Sequence, residues 1–568
     1  MRHTKSIFRR IGAFILIYAC LSTLSYGQRN ESVLFKAMQD EMDRTKKELK
    51  LPNAPQTYFV AYTVAENSYI SVSSSLGTIT YTKESPRERV HSVNLYVGDS
   101  QFSSDYSYTD NGINLNFFTT RDDNYDQLRR NFWQTSDVAY KFAVEVYKSK
   151  KNAVKTATIS EEEKALPDML PLTGTVVSTP AIPEFNMNKK AYQELACKLS
   201  KVFEKYPSVF GSSVEIGGIQ TVYYYLTTEG TKIKEPTAYV SLIIKGSIRN
   251  NLGQVVDDQK VIYAKCFEKL PSESALISLT ESFADRLSAL VKAPNMQEYY
   301  LGPVLFEEAA SAKIFADNLI SPSGIVAFRQ PFQVMASVAR AENVGDAKNV
   351  KPLEDRIGKK VIDNRLNVQN RTDLTEFDGM SLIGNYTLDA QGVTPVKEEK
   401  LVENGILRSL LSSRVPTKKV KGSTGSLRYG VTPRSITKAI APGTLIVSAP
   451  EGAASSELKS QLIKAAIEEG LDYAYIVRNF AGGSDQYLYR VSVKDGSETL
   501  VTGAEISPVQ FIKLKRVLGV SKEEMAFNYL YRGTIPTSII APKSVLIEDI
   551  EIMNKPMNVQ KESPLIAK

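Results

Sequence analysis

The sequence predicts an α+β fold, with mixed helix and sheet units followed by a large antiparallel β region that carries packed helices. Runs rich in tyrosine and β-branched residues recur along the chain, and its 29 tyrosines favour β structure. Asn404-Gly405 and Asp495-Gly496 each stand between two strand-like runs, a pattern typical of β-hairpins. Amphipathic helical patterns separate the strand runs, and the 568 residues are enough for several domains.

The first folded unit is predicted over residues 28–160. It begins with an amphipathic helix from Leu34 to Leu51 and ends with helical sequence from Asn124 to about Thr158. Between them lie four runs with the composition or alternation of strands: Tyr58–Val64, Tyr69–Ser75, Thr78–Tyr81 and Val90–Val97. These patterns indicate a sheet covered by helices.

A linker over residues 161–185 separates this unit from a middle α+β domain over residues 186–297. The linker is rich in prolines and small polar residues, which interrupt regular structure. The middle domain has helical and strand-like segments in the order helix, strand, strand, helix: Lys190–Lys205, Thr221–Thr227, Tyr239–Ile248 and Ser272–Val291.

The last unit, residues 298–568, contains the two predicted hairpins and is expected to form one large antiparallel sheet, barrel-like in shape. A helix from Ser456 to Glu469 is followed by Gly470, a common helix stop. A second helix is predicted from Val304 to Ile320, where large apolar residues and small alanines suit close packing against the sheet.

Residues 1–27 are expected to be a secretory signal peptide. Four basic residues precede an apolar run from Ile11 to Leu24, and Ser25-Tyr26-Gly27 provides a cleavage site before Gln28. The apolar run is short for a membrane span, and no later segment is long and apolar enough to cross a bilayer. We therefore expect export to the periplasm. A lipid anchor on Cys20 is the alternative.

Charge and cysteine content limit the function classes. Loss of a leader with four cations and no acids lowers the net charge from +7 to +3, which does not favour nucleic-acid binding. Cys197 and Cys266 would remain, either as one disulfide or as two buried thiols; the sequence leaves both open.

Histidine is nearly absent, which restricts metal and nucleophilic catalysis. Of the two histidines, His3 lies in the leader and His91 lies in a predicted strand, where it is expected to be a packing residue. A hydrolytic zinc site needs about three protein ligands, usually including histidine. An acidic segment could instead hold Ca²⁺ or Mg²⁺, but its carboxylates lack the spacing of a defined loop. Its members are Asp355, Asp363, Asp373, Glu376 and Asp378.

Several blocks in the same order resemble the TldD/PmbA family of zinc peptidase-related proteins, also called modulators of DNA gyrase. The resemblance covers roughly residues 298–552 and is weaker in the N-terminal part. The blocks with the clearest match are Tyr300–Ala310, Thr375–Pro395, Leu401–Arg414 and Gly422–Arg428. If this chain is exported, it does not meet a cytoplasmic topoisomerase, so the gyrase role is not inferred.

The resemblance also assigns positions for a metal site that this chain does not reproduce. Active members carry H-E-x-x-x-H on a helix and a cysteine near the C-terminus. Here Glu307 and Ala312 stand at the histidine positions and Glu308 matches the general base. Residues Asn528–Pro536, where the cysteine is expected, contain none. The resemblance therefore implies that no zinc or other cofactor is bound, and that Glu308 has no metal-bound water to act on.

The function that the resemblance implies is that of a metal-less, PmbA-like subunit, a pseudoenzyme within a peptide-degrading complex. Its expected partners are an unfolded peptide and either a zinc-bearing TldD-like homologue or a second copy of the chain. Two alternatives remain open. One is an active peptidase that uses Glu307 and Glu308 with the acidic segment. The other is a non-catalytic envelope protein for binding or assembly.

Overall fold

The computed structural model describes residues 33–106, 117–156, 159–251, 253–296, 298–331, 350–478 and 487–554. The predicted signal peptide, its Cys20 and the start of the mature chain lie outside these residues. Seven helices occur in the described ranges: α1 (33–48), α2 (Tyr125–Thr156), α3 (Glu161–Lys164), α4 (Lys189–Lys201), α5 (Glu273–Ala289), α6 (Ala309–Leu319) and α7 (Ser455–Glu468). Short 3₁₀ helices lie at Val202–Lys205, Phe267–Lys269, Leu353–Arg356 and Phe511–Lys515.

A seven-stranded sheet forms the N-terminal half. Its strands are β1 (Thr57–Ser75), β2 (Thr78–Val97), β3 (Phe117–Phe118), β4 (Val177–Ser178), β5 (Val209–Thr227), β6 (Lys232–Arg249) and β7 (Val255–Ala264). The order is β3-β2-β1-β5-β6-β4, and β7 also pairs with β6. Two separate strand runs were predicted within 58–75 and two within 78–97, but each of these ranges forms one long strand. They pair antiparallel across the whole hairpin.

Two pairs of helices, α1 with α2 and α4 with α5, cover one face of this sheet. Even-numbered residues of β1, such as Val60 and Tyr62, pack in a core with α1 and α2, whereas Ile70 and Val72 pack with α4 and α5. Side chains alternate along a strand, so residues of equal parity share a face. The odd-numbered residues face the C-terminal half: Tyr69 packs with Val431.

One sheet therefore runs through both units predicted at 28–160 and 186–297. The segment 161–185 between them includes β4, which pairs in parallel with β6, and the fully buried Asp168. The predicted domain limits themselves stay a prediction.

Two further sheets form the C-terminal half. The first has the order β13-β12-β9-β16-β23-β22, and the second has the order β19-β18-β17-β8-β24-β20, with β21 also on β24. Strands β10–β11 and β14–β15 form two small pairs. The ranges are β8 Tyr300–Glu307, β9 Asn367–Arg371, β10 Glu376–Phe377, β11 Met380–Ser381, β12 Glu398–Glu403, β13 Ile406–Leu407, β14 Leu427–Gly430, β15 Thr437–Ile440, β16 Thr444–Ser448, β17 Tyr473–Arg478, β18 Tyr487–Ser492, β19 Glu498–Val501, β20 Ala504–Ile506, β21 Gly519–Val520, β22 Glu524–Tyr531, β23 Ile535–Pro542 and β24 Ser544–Asn554.

These two sheets enclose the largest apolar core of the described residues. Val304 and Phe306 of β8 meet Leu445 and Val447 of β16 there, and Phe315 of α6 packs into the same core. Helix α7 covers the other face of the second sheet through residues such as Leu458. The predicted α+β class is confirmed. The C-terminal half is two packed sheets rather than one, and two of its strand pairs, β16–β23 and β8–β17, are parallel.

Both predicted hairpins occur. Asn404 and Gly405 have φ of 48° and 75° and connect β12 to β13, with Glu403 opposite Ile406. Positive φ at both central residues suits the twist of a two-residue hairpin, which is why Asn-Gly is favoured there. Asp495-Gly496 connects β18 to β19.

Two further expectations concern thiols and membranes. Cys197 and Cys266 are free and partly buried, so of the two open alternatives the disulfide does not form in this structure. Among the described residues, none of the helices combines the length and the apolar character that crossing a bilayer requires.

Candidate functional site: a cavity at the positions of the family metal motif

The chain changes from strand to helix at the position of the metal motif, which corrects the predicted helix over Val304–Ile320. Strand β8 continues to Glu307, and α6 begins only at Ala309. Strands β17 and β24 pair with β8 on its two sides, and these long-range partners hold the apolar run in an extended conformation. Between strand and helix, Glu308 has φ 52° and ψ −123°, a strained conformation for a residue with a side chain.

Glu307, which the resemblance assigns to the first histidine position, is held in an ion network. Its carboxylate accepts a hydrogen bond of 2.6 Å from Nε of Arg478. Arg478 also donates to Glu498, which accepts a further bond from Lys459 at 2.7 Å. Although burial disfavours the charged guanidinium, the bonds to Glu498 and Glu307 raise the pKa of Arg478. Glu307 is therefore already neutralised by its own chain.

Glu308 and Ala312 lie one helical turn apart at the start of α6. The amide of Ala312 donates to the carbonyl of Glu308 at 3.2 Å, and the amide of Glu308 donates to the carbonyl of Lys543 at 2.7 Å. The side chain of Glu308 is exposed and makes no capping bond to the helix. Ala312 is buried and has no group that can bind a metal.

The segment expected to hold the cysteine forms the end of β22 and the turn into β23. Within it, Asn528 donates to the carbonyls of Tyr263 at 2.9 Å and Ser381 at 2.7 Å, and accepts from the hydroxyl of Ser538 at 2.7 Å. Asn528 therefore ties β22 to β7 of the N-terminal sheet.

A cavity of about 510 Å³ lies where these segments meet. Strand β7 supplies one wall, α6 the second, and β22 with its following turn the third. The lining residues are Gln259, Lys260, Val261, Tyr263, Ala309, Ala312, Lys313, Ala316, Asp317, Phe527, Asn528, Tyr529, Leu530, Tyr531, Arg532 and Ile539. The structure thus brings Ala312 and the Asn528–Pro536 segment to one place, whereas Glu307 is not among the lining residues.

The wall is largely aromatic and apolar. Burial raises the pKa of Tyr529 and of Tyr263, so both hydroxyls are neutral at ordinary pH. Within the described residues, β7 and β22 each pair with one strand and lie at the border of their sheets. Two strand edges therefore border the cavity, and a strand edge presents backbone groups that can pair with another chain.

The residues at this site do not fit a zinc ion. Glu307 is paired with Arg478, Ala312 has no donor atom, and no cysteine lies between Asn528 and Pro536. Throughout the described ranges there is no group of three or more His, Cys, Asp or Glu side chains that could hold a metal. The expectation that no cofactor binds stays a prediction.

The other candidate residues lie elsewhere or are already paired. Among the acidic segment, Asp363 bonds to Arg365 and Asp373 bonds to Arg371. His91 is buried in the N-terminal sheet, where its Nε2 lies 2.7 Å from the hydroxyl of Thr135. Burial lowers the pKa of His91 to about 4, so it is a neutral packing residue at pH 7.

Sequence reasoning missed Lys260, which lines the cavity from β7. Its surroundings come from β7, α6 and β22, which are far apart in sequence. The only local signal was a polar residue within a strand-like run, and that is no specific mark of a site.

Comparison with known proteins finds one family model that matches the C-terminal part of the chain. Residues 326–554 match the family model described as PmbA/TldA metallopeptidase C-terminal domain. No curated protein matches the chain.

Solved structures with a similar fold include three proteins from different organisms. A candidate modulator of a DNA gyrase from Thermotoga maritima has a TM-score of 0.56 at 15% identity, over 91% of this chain and 100% of that one. TldE from Thermococcus kodakarensis has a TM-score of 0.55 at 13% identity, over 91% and 100%. A candidate modulator of DNA gyrase from Bacteroides thetaiotaomicron has a TM-score of 0.55 at 14% identity, over 91% and 98%. At these identities the likeness shows a shared fold.

Proposed function

Since the chain belongs to the TldD/PmbA family through its C-terminal residues 326–554, we propose that it is a metal-less, PmbA-like subunit that guides peptide to a zinc-bearing homologue. In this proposal the chain is exported, binds unfolded peptide in the cavity between β7, α6 and β22, and has no hydrolytic activity of its own. The family link to metallopeptidases supports proteolysis as the process in which the complex acts.

The observation that carries the proposal is a cavity without a metal site. Ala312 and part of the Asn528–Pro536 segment line a space of about 510 Å³, while the ligand types that zinc requires are replaced. Glu308, at the position of the general base, needs a metal-bound water to act on. A binding role accounts for the cavity without requiring chemistry from Glu308.

The strand edges support an extended peptide as the ligand. A peptide that adds a strand to β7 or β22 is held by backbone hydrogen bonds and so needs no particular sequence. The bridge from Asn528 to the carbonyl of Tyr263 ties the two walls together and keeps them at a set separation. Tyrosines on both walls offer flat, amphipathic contact area.

Zinc content and activity test the metal-less role. The mature chain, purified without a histidine tag, is expected to contain far less than one zinc per chain and to leave unfolded casein intact. Adding a zinc-bearing homologue from the same organism should produce a complex in size-exclusion chromatography and restore cleavage. One zinc per chain would overturn the proposal. Cleavage by the chain alone that is lost in Glu308→Ala would favour the active peptidase.

A bulky residue in the cavity tests the peptide site. Ala316 is partly buried on α6 and lines the cavity. Ala316→Trp should weaken binding of a labelled unfolded peptide about tenfold or more, by filling the space that the peptide needs. Ala465→Trp is the matched control, because Ala465 is a partly buried alanine of α7 that does not line the cavity. Equal binding by both variants would contradict peptide entry at this site.

Cell fractionation tests export. The mature chain is expected in the periplasmic fraction with Gln28 as its first residue. Labelling of Cys20 with a fatty-acid analogue would indicate the lipid-anchored alternative instead.

A normal level of cleavage by the zinc-bearing homologue in a strain that lacks this chain would favour the non-catalytic envelope protein.

A further inference from the structure

Lys260 is a partly buried cation on the β7 wall of the cavity. Burial lowers the pKa of its ammonium group, and the nearby charge of Arg286 acts in the same direction. Glu308 and Asp258 oppose this effect through space. Within the described residues, however, the ammonium of Lys260 makes no hydrogen bond or ion pair. The chain itself therefore leaves this charge only partly compensated.

The other charged groups around the cavity are occupied or exposed. Lys313 donates to Asp317 at 2.5 Å, so these two lining charges neutralise each other. The carboxylate of Asp258 accepts a hydrogen bond of 2.6 Å from the hydroxyl of Tyr487. Arg532 lies at the exposed turn after β22, where it stacks over the ring of Tyr531. The inner wall therefore keeps one unbalanced positive charge, at Lys260.

The rest of the wall strengthens any interaction with that charge. Tyr263, Phe527, Tyr529 and the alanines of α6 surround the space with weakly polar groups. Attraction between opposite charges grows as the local dielectric constant falls. The hydroxyl of Tyr529 is also buried and has no hydrogen-bond partner in the part of the chain that the structure describes.

We propose that the cavity selects peptide segments that carry a carboxylate, which pairs with the ammonium group of Lys260. This inference rests on the proposed function, because it takes the same cavity as the peptide site and adds a preference among peptides. The carboxylate is either an aspartate or glutamate side chain or the free C-terminus, since both offer the same two oxygens to a lysine.

Three labelled peptides of one extended sequence test the preference by fluorescence anisotropy with the full mature chain. The first has a central glutamate and an amidated C-terminus, the second has glutamine there and the same amide, and the third has glutamine and a free C-terminus. At least one carboxylate peptide should bind about tenfold more tightly than the neutral peptide. Preference for the first identifies a side chain as the source, and preference for the third identifies the C-terminus.

Variants of two lysines assign the effect. Lys260→Met should abolish the preference while the neutral peptide still binds, and Lys260→Arg should retain it because the charge remains. Lys245→Met removes a lysine of the neighbouring strand β6 that does not line the cavity and bonds to Glu215, and it should keep the preference. Circular dichroism and thermal unfolding establish that each variant is folded.

The outcomes separate this inference from the proposed function. Equal binding of all three peptides, or a preference that persists in Lys260→Met, overturns the carboxylate inference and leaves the peptide site intact. Failure of every peptide to bind the wild-type chain overturns both.

Discussion

Two lysines, Lys150 and Lys260, are both shielded from water, but only Lys150 is in direct contact with groups that compensate its charge. Lys150 of α2 is fully buried, donates to the carbonyl oxygen of Asp105 and forms an ion pair of 2.6 Å with Asp168. Asp168 also lies 3.6 Å from Arg329. Burial lowers the pKa of both lysines, and the nearby carboxylates oppose that effect.

The difference separates a structural charge from one available to a ligand. At Lys150 of α2 the compensating groups are the carbonyl of Asp105, in the segment after β2, and the carboxylate of Asp168, in the segment after α3, so the cluster joins parts distant in sequence. At Lys260 the compensating charges act only through space, and the residue lines a cavity. A buried charge with its partners in place supports the fold, whereas a poorly compensated charge at a cavity favours binding.

The largest expected effect is on the Lys150 cluster. Asp168→Asn removes the negative charge and leaves Lys150 and Arg329 buried without it, which should lower the free energy of unfolding by about 3–5 kcal/mol. Trp133, the only tryptophan of the chain, lies on α2 like Lys150. Its fluorescence during urea unfolding therefore reports on this unit.

The control is an ion pair on the surface of the same helix. Lys141 and Asp137 lie 2.6 Å apart, and both side chains are in contact with solvent, Lys141 more than Asp137. Asp137→Asn should change the free energy of unfolding by no more than about 0.5 kcal/mol. Similar effects of the two substitutions would show that the buried cluster around Lys150 stabilises the fold no more than a surface ion pair does.

His91 extends the comparison to a buried group that stays neutral. Its folded-state pKa is about 4 and the ordinary value is 6.5, so between these values the unfolded chain binds more protons. The contribution of neutral His91 to the free energy of unfolding is therefore fully present above pH 6.5 and is lost as the pH drops toward 4. It amounts to roughly 3 kcal/mol.

Urea unfolding followed by Trp133 at several pH values measures that loss. In His91→Gln the loss between pH 6.5 and 4 should shrink by most of the His91 contribution, although other acidic groups still titrate. An unchanged pH dependence would mean that His91 becomes protonated as readily in the folded chain as in the unfolded one.

Lys260→Met should affect stability less than Asp168→Asn or the titration of His91, and with the opposite sign to Asp168→Asn. Removing a poorly compensated charge from a partly buried position should raise the free energy of unfolding by up to about 1 kcal/mol at pH 7. The pKa of Lys260 is lowered below 10.5, so the cost of its charge disappears as the pH rises from the folded-state pKa toward that value.

The increase in the free energy of unfolding caused by Lys260→Met should therefore diminish in that alkaline range. Thermal unfolding monitored by circular dichroism measures it. Lys245→Met on the neighbouring strand β6 is the control, since Lys245 bonds to Glu215 at 2.8 Å. Strong destabilisation by Lys260→Met would mean that this lysine supports the fold as Lys150 does.

Much of the fold was predictable because its signals are local. The helix from Ser272 onward was expected, and the structure has α5 at Glu273–Ala289 with the Ser272 hydroxyl accepting a bond from the amide of Ala275. The Asn404-Gly405 turn was also expected, since few residue pairs tolerate two positive φ values. Such capping and turn preferences act over a few residues.

The helix predicted over Val304–Ile320 was half wrong for a physical reason. An apolar run such as Val304-Leu305-Phe306 suits a buried strand as well as a helix, and periodicity does not separate the two. The choice was made by β17 and β24, which pair with this segment from more than 160 residues away in the chain.

By itself, the sequence determined the α+β class, the hairpins and most of the helices, and its resemblance to the family predicted which residues stand at the positions of the metal motif. Tertiary structure alone decided that Glu307 is bound by Arg478, that Ala312 and the Asn528–Pro536 segment share one cavity, and that Lys260 lines it. Turn and helix preferences are set by neighbouring residues. A cavity and its charges depend on which distant strands and helices pack together, and that packing is not written in any local pattern.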